Sequence, residues 1–335
     1  MRKVHSILLA AVLAAASAQA AKTFDIYFID TEGGQATLMV APSGQSLLVD
    51  TGFPGNSGRD ALRIAAAAKA AGVKKIDYLL ITHFHGDHVG GVPNLLEKLP
   101  VGTFLDHGVS IETNNYPADY AAAFAPGSAS KPQHKVVVPG DIIPVKDLNI
   151  TVVAAAGKNI QRRGDSNQYC SGVQPKPDQD PSNSGENPQS SAIIVEWKKF
   201  RFADLGDLVW NRELSLVCPQ NMLGKMDLYL TTHHGGESPE GIWGLAPRVA
   251  IMNNGARKGG NPDAWRRVMK SPGLQDMWQL HFSMAGGKDA NVPDTMIANV
   301  DEMCRGEYLK VSVAEDGSFT VANSRNKYSK TYKAR

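Results

Sequence analysis

Thr82-His83-Phe84-His85-Gly86-Asp87-His88-Val89-Gly90-Gly91 decides how this chain is read. Three histidines and one carboxylate fall within six residues. They directly follow Ile76 to Thr82, a short apolar run bounded by charged and turn residues that reads as a buried strand. Neutral imidazoles and carboxylates are the donors that suit zinc and similar divalent cations. Residues two apart in extended chain face the same way, so His83 and His85 can converge on one ion. Asp87 and His88 follow the turn at Gly86 and can face a second. A second cluster, Thr231-Thr232-His233-His234-Gly235-Gly236, also closes an apolar strand, Asp227 to Thr232. Five of the nine histidines thus sit in two strand-end loops. Either pair alone is a weak signal, and together they are a strong one.

Outward from these loops, strand and helix signals alternate. Thr23 to Phe28, Ala36 to Val40 and Ser46 to Val49 read as strands, the last two joined by a turn at Pro42-Ser43-Gly44. Arg59 to Ala71 reads as an alanine-rich helix stopped by Gly72, Val89 to Leu99 as a helix and Thr103 to Leu105 as a strand. Ala192 to Glu196 and Phe200 to Ala203 form a strand pair leading into Asp204-Leu205-Gly206-Asp207. Val249 to Asn253 is a further strand and Asp263 to Met269 a helix. This alternation predicts an α/β domain. Residues 157–190, dense in Gly, Pro, Ser and Asn, carry no hydrophobic period and read as a lid-like loop insertion. Residues 324–335 read as a basic, partly disordered tail.

The chain has 335 residues, 42% hydrophobic and 20% charged, which excludes a coiled coil, a collagen-like fibre and a fully disordered chain. Residues 1–20 combine Arg2 and Lys3, a short apolar run from Ile7 to Ala16, and Ala18-Gln19-Ala20. This predicts a cleaved signal peptide, hence a periplasmic or secreted protein with no stable membrane anchor after its removal. Loss of Arg2 and Lys3 takes the formal charge from +2 to near zero. Nucleic-acid binding normally shows as a basic stripe, so the balance favours a small phosphoester over nucleic acid. Export favours one disulfide among Cys170, Cys218 and Cys304. The pairing stays open, with a lean towards Cys218 and Cys304. None of the three lies in a CxxC or beside a histidine, which argues against a zinc–thiolate site.

The motif set resembles the metallo-β-lactamase superfamily. The resemblance rests on Asp50 in Leu47-Leu48-Val49-Asp50-Thr51-Gly52, on His83, His85, Asp87 and His88, on Asp207 after Gly206, and on His233-His234-Gly235. It covers roughly Thr23 to Asn254. Phe28-Ile29-Asp30 followed by Gly33-Gly34-Gln35-Ala36, with the double histidine, is most similar to the competence-type branch, named for the nuclease domain of DNA-uptake proteins. The resemblance implies a four-layer αββα sandwich in a single domain over 21–323, and a hydrolase that uses two divalent metal ions, zinc first and manganese second. It implies His83, His85 and Asp207 at one ion, and Asp87, His88, Asp207 and His234 at the other, with a metal-bridging hydroxide as nucleophile. Asp87, Asp50 and His233 are the residues it assigns to catalysis. Asp50 orients ligands, and His233 donates to an oxyanion or a leaving group.

One departure stands out. Many members place a histidine between the HxHxDH motif and the bridging aspartate. Glu186-Asn187-Pro188-Gln189-Ser190-Ser191 has none, which leaves the first ion a thinner ligand set. Asn187 and Ser190 are candidates to line the site, as are His107 and Asn254 at other strand ends. His281 reads as structural, and His134 as a loop histidine without a role. The functions this supports are phosphoester hydrolysis, then lactone, lactam or thioester hydrolysis on the same centre, then a non-catalytic metal-binding scaffold.

Overall fold

The computed structural model describes residues 22–126, 132–176, 185–236 and 238–335. The signal-peptide reading of residues 1–20 lies outside them. Phe24–Phe28 shows how alternation builds the layers. Phe24, Ile26 and Phe28 point into a core between two sheets, while Tyr27 faces the other way onto helices. The first sheet has nine strands. Ser46–Val49, Ile76–Leu80, Val101–Asp106 and Gln133–Val136 run parallel at one side, and Phe24–Phe28, Thr37–Val40 and the C-terminal strands are antiparallel at the other. The second sheet runs parallel through Phe200–Asp204, Leu228–Leu230, Val249–Met252, Asp276–His281 and Ile297–Asn299.

Three apolar clusters fill the spaces between four layers. Phe200, Phe202, Trp197 and Trp278 pack between the sheets. Ala61, Ile64 and Leu95 of the helices Arg59–Ala70 and Val92–Leu96 cover the outer face of the first sheet. Leu214, Leu216 and Val217 of Trp210–Val217 and Val268 of Pro262–Met269 are buried on their helices, and Leu216, Val217 and Val268 pack on the second sheet's outer face. This is the αββα sandwich. Full burial of such a side chain stabilises by about 1.5–3 kcal/mol. Among the described residues no helix is long and apolar enough to cross a membrane.

Several local readings change. Val89 to Leu99 is two short helices, Gly86–Val89 and Val92–Leu96, because the Gly91 amide donates to Gly52 instead of to the preceding turn. A Cβ on Gly91 would sit 2.1 Å from the Thr51 carbonyl oxygen, so glycine lets the motif pack against the Asp50 loop. The described part of 157–190 is pinned rather than free. Lys158–Asn159 pairs with Asn149–Ala155, and Asp165–Ser166 pairs with Gln220–Asn221. The disulfide joins Cys170 to Cys218, not Cys218 to Cys304, and ties this segment to the end of Trp210–Val217. Cys304 is the free thiol. The basic tail supplies an edge strand, Ser329–Tyr332, paired with Phe319–Asn323. Its buried Tyr332 hydroxyl accepts a 3.0 Å bond from the Trp278 indole, which anchors the end of the chain in the core.

Candidate metal centre

The parallel strands of both sheets end at the same side, where open α/β sheets bind ligands. From the first sheet come Asp50 after Ser46–Val49 and His83 after Ile76–Leu80. From the second come Asp207 after Phe200–Asp204 and His234 after Leu228–Leu230. Asp50, His233 and His234 all adopt left-handed backbone conformations, with φ of 61°, 54° and 55°. Such strain in non-glycine residues clusters at functional sites.

Asp87, His88, Asp207 and His234 converge tightly. Nε2 of His88 lies 3.2 Å from both Asp207 Oδ2 and His234 Nε2, and 3.3 Å from Asp87 Oδ2. His234 Nε2 is 3.2 Å from Asp207 and 3.3 Å from Asp87. The other group is looser. His83 Nε2 and His85 Nδ1 are 3.0 Å apart, and His83 is 3.9 Å from Asp207 Oδ2. Asp207 Oδ1 is buried without a hydrogen-bond partner. Ring nitrogens and carboxylate oxygens thus face one another with an orphaned anionic oxygen among them. That donor set fits divalent cations.

Outer partners fix which ring nitrogen faces inward. Asp50 Oδ2 is 2.7 Å from His88 Nδ1 and also accepts the Thr82 hydroxyl at 2.7 Å. Its other oxygen accepts the Thr82 amide. Glu112 Oε1 lies 3.4 Å from His85 Nε2, which leaves Nδ1 to face His83. Asn253 contacts His234 Nδ1 at 3.3 Å while its Oδ1 has no partner. Turning this amide over lets the carbonyl oxygen accept the Nδ1 proton, leaving Nε2 for an ion.

Among themselves, the groups favour deprotonated Asp207, Asp87 and His83 but a protonated His88. Burial opposes charge on Asp207, yet His234, His88 and His233 hold its carboxyl well below the usual range. Asp87 is likewise lowered, against burial, by His88 and His234. Burial would lower His88 too, but the carboxylates of Asp207, Asp87 and Asp50 raise it well above the ordinary imidazole value. Burial and the neighbouring His88 push His83 well down.

The remaining candidates divide. Asn187 reaches the site through His233, with Nδ2 3.4 Å from Nε2 of that half-exposed ring. Ser190 is buried and its hydroxyl accepts the Asp207 amide at 3.3 Å, so it shapes the Asp207 loop from behind. His107 is not open to substrate. It is buried against Glu186 at 2.9 Å, and Glu186 also accepts the Phe84 and Ile111 amides. Asn254 is also buried, its amide donating to the Gly255 and His281 carbonyls, so it clamps backbone instead of meeting substrate. His134 lies on the strand Gln133–Val136, with Nε2 2.6 Å from Asp106.

Sequence reading missed Glu112 and Lys258. The Lys258 ammonium contacts Asp87 Oδ2 and lies 5.2 Å from the centre of the Phe53 ring. Glycines flanking Arg257-Lys258 were the available signal. Glu112, in an irregular loop, had none.

Residues 30–157 match the metallo-beta-lactamase superfamily model. A ribonuclease Z from Alkaliphilus oremlandii is 37% identical over 71 residues, 21% of this chain and 20% of that protein. A hydroxyacylglutathione hydrolase from Xylella fastidiosa is 35% identical over 77 residues, 23% of this chain and 26% of that one. The chain therefore spans about a fifth to a quarter of the length of these curated relatives. The metallo-beta-lactamase fold protein YhfI from Bacillus subtilis aligns over 76% of this chain and 96% of its own, at 11% identity and a TM-score of 0.46.

Proposed function

We propose that this protein is a periplasmic or secreted metal-dependent hydrolase of phosphoesters, small phosphodiesters ahead of nucleic acid, related to the competence-type branch. His83, His85 and Asp207 would hold one divalent cation and Asp87, His88, Asp207 and His234 the other, zinc before manganese. Bound there, such ions lower the pKa of water towards neutrality and stabilise negative charge developing on oxygen.

The observation that carries the substrate class is Lys258, whose ammonium reaches Asp87 at the rim of the cluster. Lys258 cannot keep that contact beside a divalent ion, because like charges repel. Its flexible four-carbon stem then leaves the ammonium at the rim, where it binds an anionic substrate. His233, steadied by Asn187, presents Nε2 for a hydrogen bond to a substrate or leaving-group oxygen. Asp50 and Glu112 keep the His88 and His85 rings in the required tautomers.

A second reading keeps the centre and changes the bond to lactone, lactam or thioester. Val109 is 87% exposed and Ile111 47% exposed on the loop that carries Glu112, an apolar surface suited to an acyl chain. A panel of chromogenic phosphodiester, lactone, thioester and cephalosporin substrates with added zinc or manganese separates the two. Phosphodiester turnover that disappears in Asp207→Ala supports the proposal. Turnover of acyl substrates alone overturns it in favour of the second reading. No turnover by metal-loaded protein favours a scaffold role.

A further inference from the structure

Asp30, His281 and Cys304 form a second donor cluster at the same end of the sheets. Asp30 closes the first strand, His281 ends Asp276–His281, and Cys304 lies beyond Ile297–Asn299. Asp30 and His281 are buried, 0% and 1% exposed, and Cys304 is half-buried. His281 Nε2 is 2.9 Å from Asp30 Oδ1 and 3.7 Å from Cys304 Sγ, and Sγ is 3.2 Å from Asp30 Oδ2. We propose that Asp30, His281 and Cys304 form a separate binding site for a thiophilic divalent cation, zinc or its analogues.

Geometry carries the argument. A tetrahedral zinc with bonds of about 2.0–2.3 Å needs edges of about 3.3–3.6 Å between its donor atoms. The three separations here, 2.9, 3.2 and 3.7 Å, bracket that range, with Asp30 turning Oδ1 to the nitrogen and Oδ2 to the sulfur. The 3.2–3.3 Å spacings among Asp87, His88, Asp207 and His234 lie at its lower edge. One sulfur, one nitrogen and one carboxylate oxygen are donors that zinc accepts together. Two anionic donors balance the charge of a divalent ion.

Arg63 supports the site instead of competing for it. Its NH1 donates to Asp30 Oδ2 at 2.9 Å and its NH2 to Cys304 Sγ at 3.4 Å, the pattern of an outer donor to two anionic ligands. Glu32 Oε1, 3.1 Å from the same NH2, pairs with the guanidinium beside the site. Cys304 also lines a surface cavity of about 310 Å³ together with Asn299, Asp301 and Glu307, which gives an ion a way in and a free position for water. The absence of any CxxC argued against a thiolate site from sequence. The fold brings together donors that sequence leaves 251 and 23 residues apart, from Asp30 to His281 and on to Cys304.

This proposal is independent of the hydrolase reading, and its readout is specific to sulfur. Cys170 and Cys218 are joined to each other, so only Cys304 can supply a thiolate ligand. The full chain, stripped with a chelator, is titrated with Co²⁺ or Cd²⁺ while thiolate-to-metal charge-transfer absorption is followed. The expected result is a band that saturates at one ion per chain, disappears in Cys304→Ser and His281→Ala, and persists in Asp207→Asn. Zinc should also slow alkylation of Cys304 in the unmodified protein at least tenfold, a measurement that needs no variant to fold. A titration without the band, alkylation indifferent to zinc, or a band saturating at one ion per two chains would each overturn the proposal.

Discussion

Asp50→Asn tests how the protein prepares His88 for a metal. The carboxylate accepts three buried donors: the Thr82 amide at 2.8 Å, the Thr82 hydroxyl at 2.7 Å and His88 Nδ1 at 2.7 Å. Asparagine tolerates the left-handed backbone that Asp50 adopts, so the loop is not strained by the change. It offers one acceptor oxygen in place of two. If that oxygen stays on the Thr82 amide, the NH2 group faces His88 Nδ1. The ring proton must then move to Nε2, the nitrogen that faces Asp207 and His234. If the oxygen serves His88, the Thr82 amide is left unsatisfied at a cost of about 1–3 kcal/mol. The first outcome should weaken metal binding by about 10–100-fold, which is about 1.4–2.8 kcal/mol. Competition against a chromophoric chelator measures the affinity, and thermal unfolding of the metal-free protein measures the cost. Wild-type affinity for every ion in a variant that is only less stable would refute the tautomer argument and reduce Asp50 to a clamp on Thr82.

Lys258→Ala should raise KM for an anionic phosphodiester about tenfold or more while leaving KM for an uncharged lactone nearly unchanged. Equal effects on both substrates would contradict its role as an anion contact. Glu213, buried beneath Tyr229 and Ser238, is pushed by burial from 4.5 up to about 8, so the fold keeps a proton that the unfolded chain loses. Its contribution to stability is complete below pH 4.5 and is lost as the pH rises to about 8. Unfolding midpoints measured across that window should fall less steeply in Glu213→Gln than in the parent, and parallel curves would refute the assignment. Reduction of Cys170–Cys218, which spans 48 residues, should cost about 4 kcal/mol on the loop-entropy account. Denaturant unfolding with and without reductant checks this, and an unchanged midpoint would show that residues 157–176 are held by their strand pairings alone.

The layers were legible because they follow from periodicity. Phe24, Ile26 and Phe28 alternate with Tyr27, and the apolar runs before Asp50, His83 and His234 are short and sharply bounded. Such patterns state which face is buried without naming the neighbour. The donor cluster was legible for a related reason. Its residues come in dense local groups, so only the meeting of two loops had to be supplied by the fold. His107 and Asn254 share the strand-end position and were read by the same rule, but position at a strand end does not say which way a side chain points. His107 turns inward to Glu186, a residue 79 positions away that sequence gives no reason to pair with it.

The same limit explains the cysteines and connects them to the metal chemistry. Local spacing carries information only about donors supplied by a single loop. The Cys170–Cys218 disulfide is decided by how the turn at Gln168–Cys170 lies against the end of the helix Trp210–Val217, and the Asp30–His281–Cys304 cluster by which strand ends the topology places side by side. In this fold the parallel strands of both sheets deliver their last residues to one end, so polar residues that are unremarkable along the chain become neighbours there. Asp87, His88, Asp207 and His234 are the case in which motif density announced the outcome. Asp30, His281 and Cys304 are the case in which only the shared end of the sheets reveals it. The two clusters therefore make separable claims: removing Asp207 should leave a Cys304-dependent ion in place, and removing Cys304 should leave hydrolysis intact.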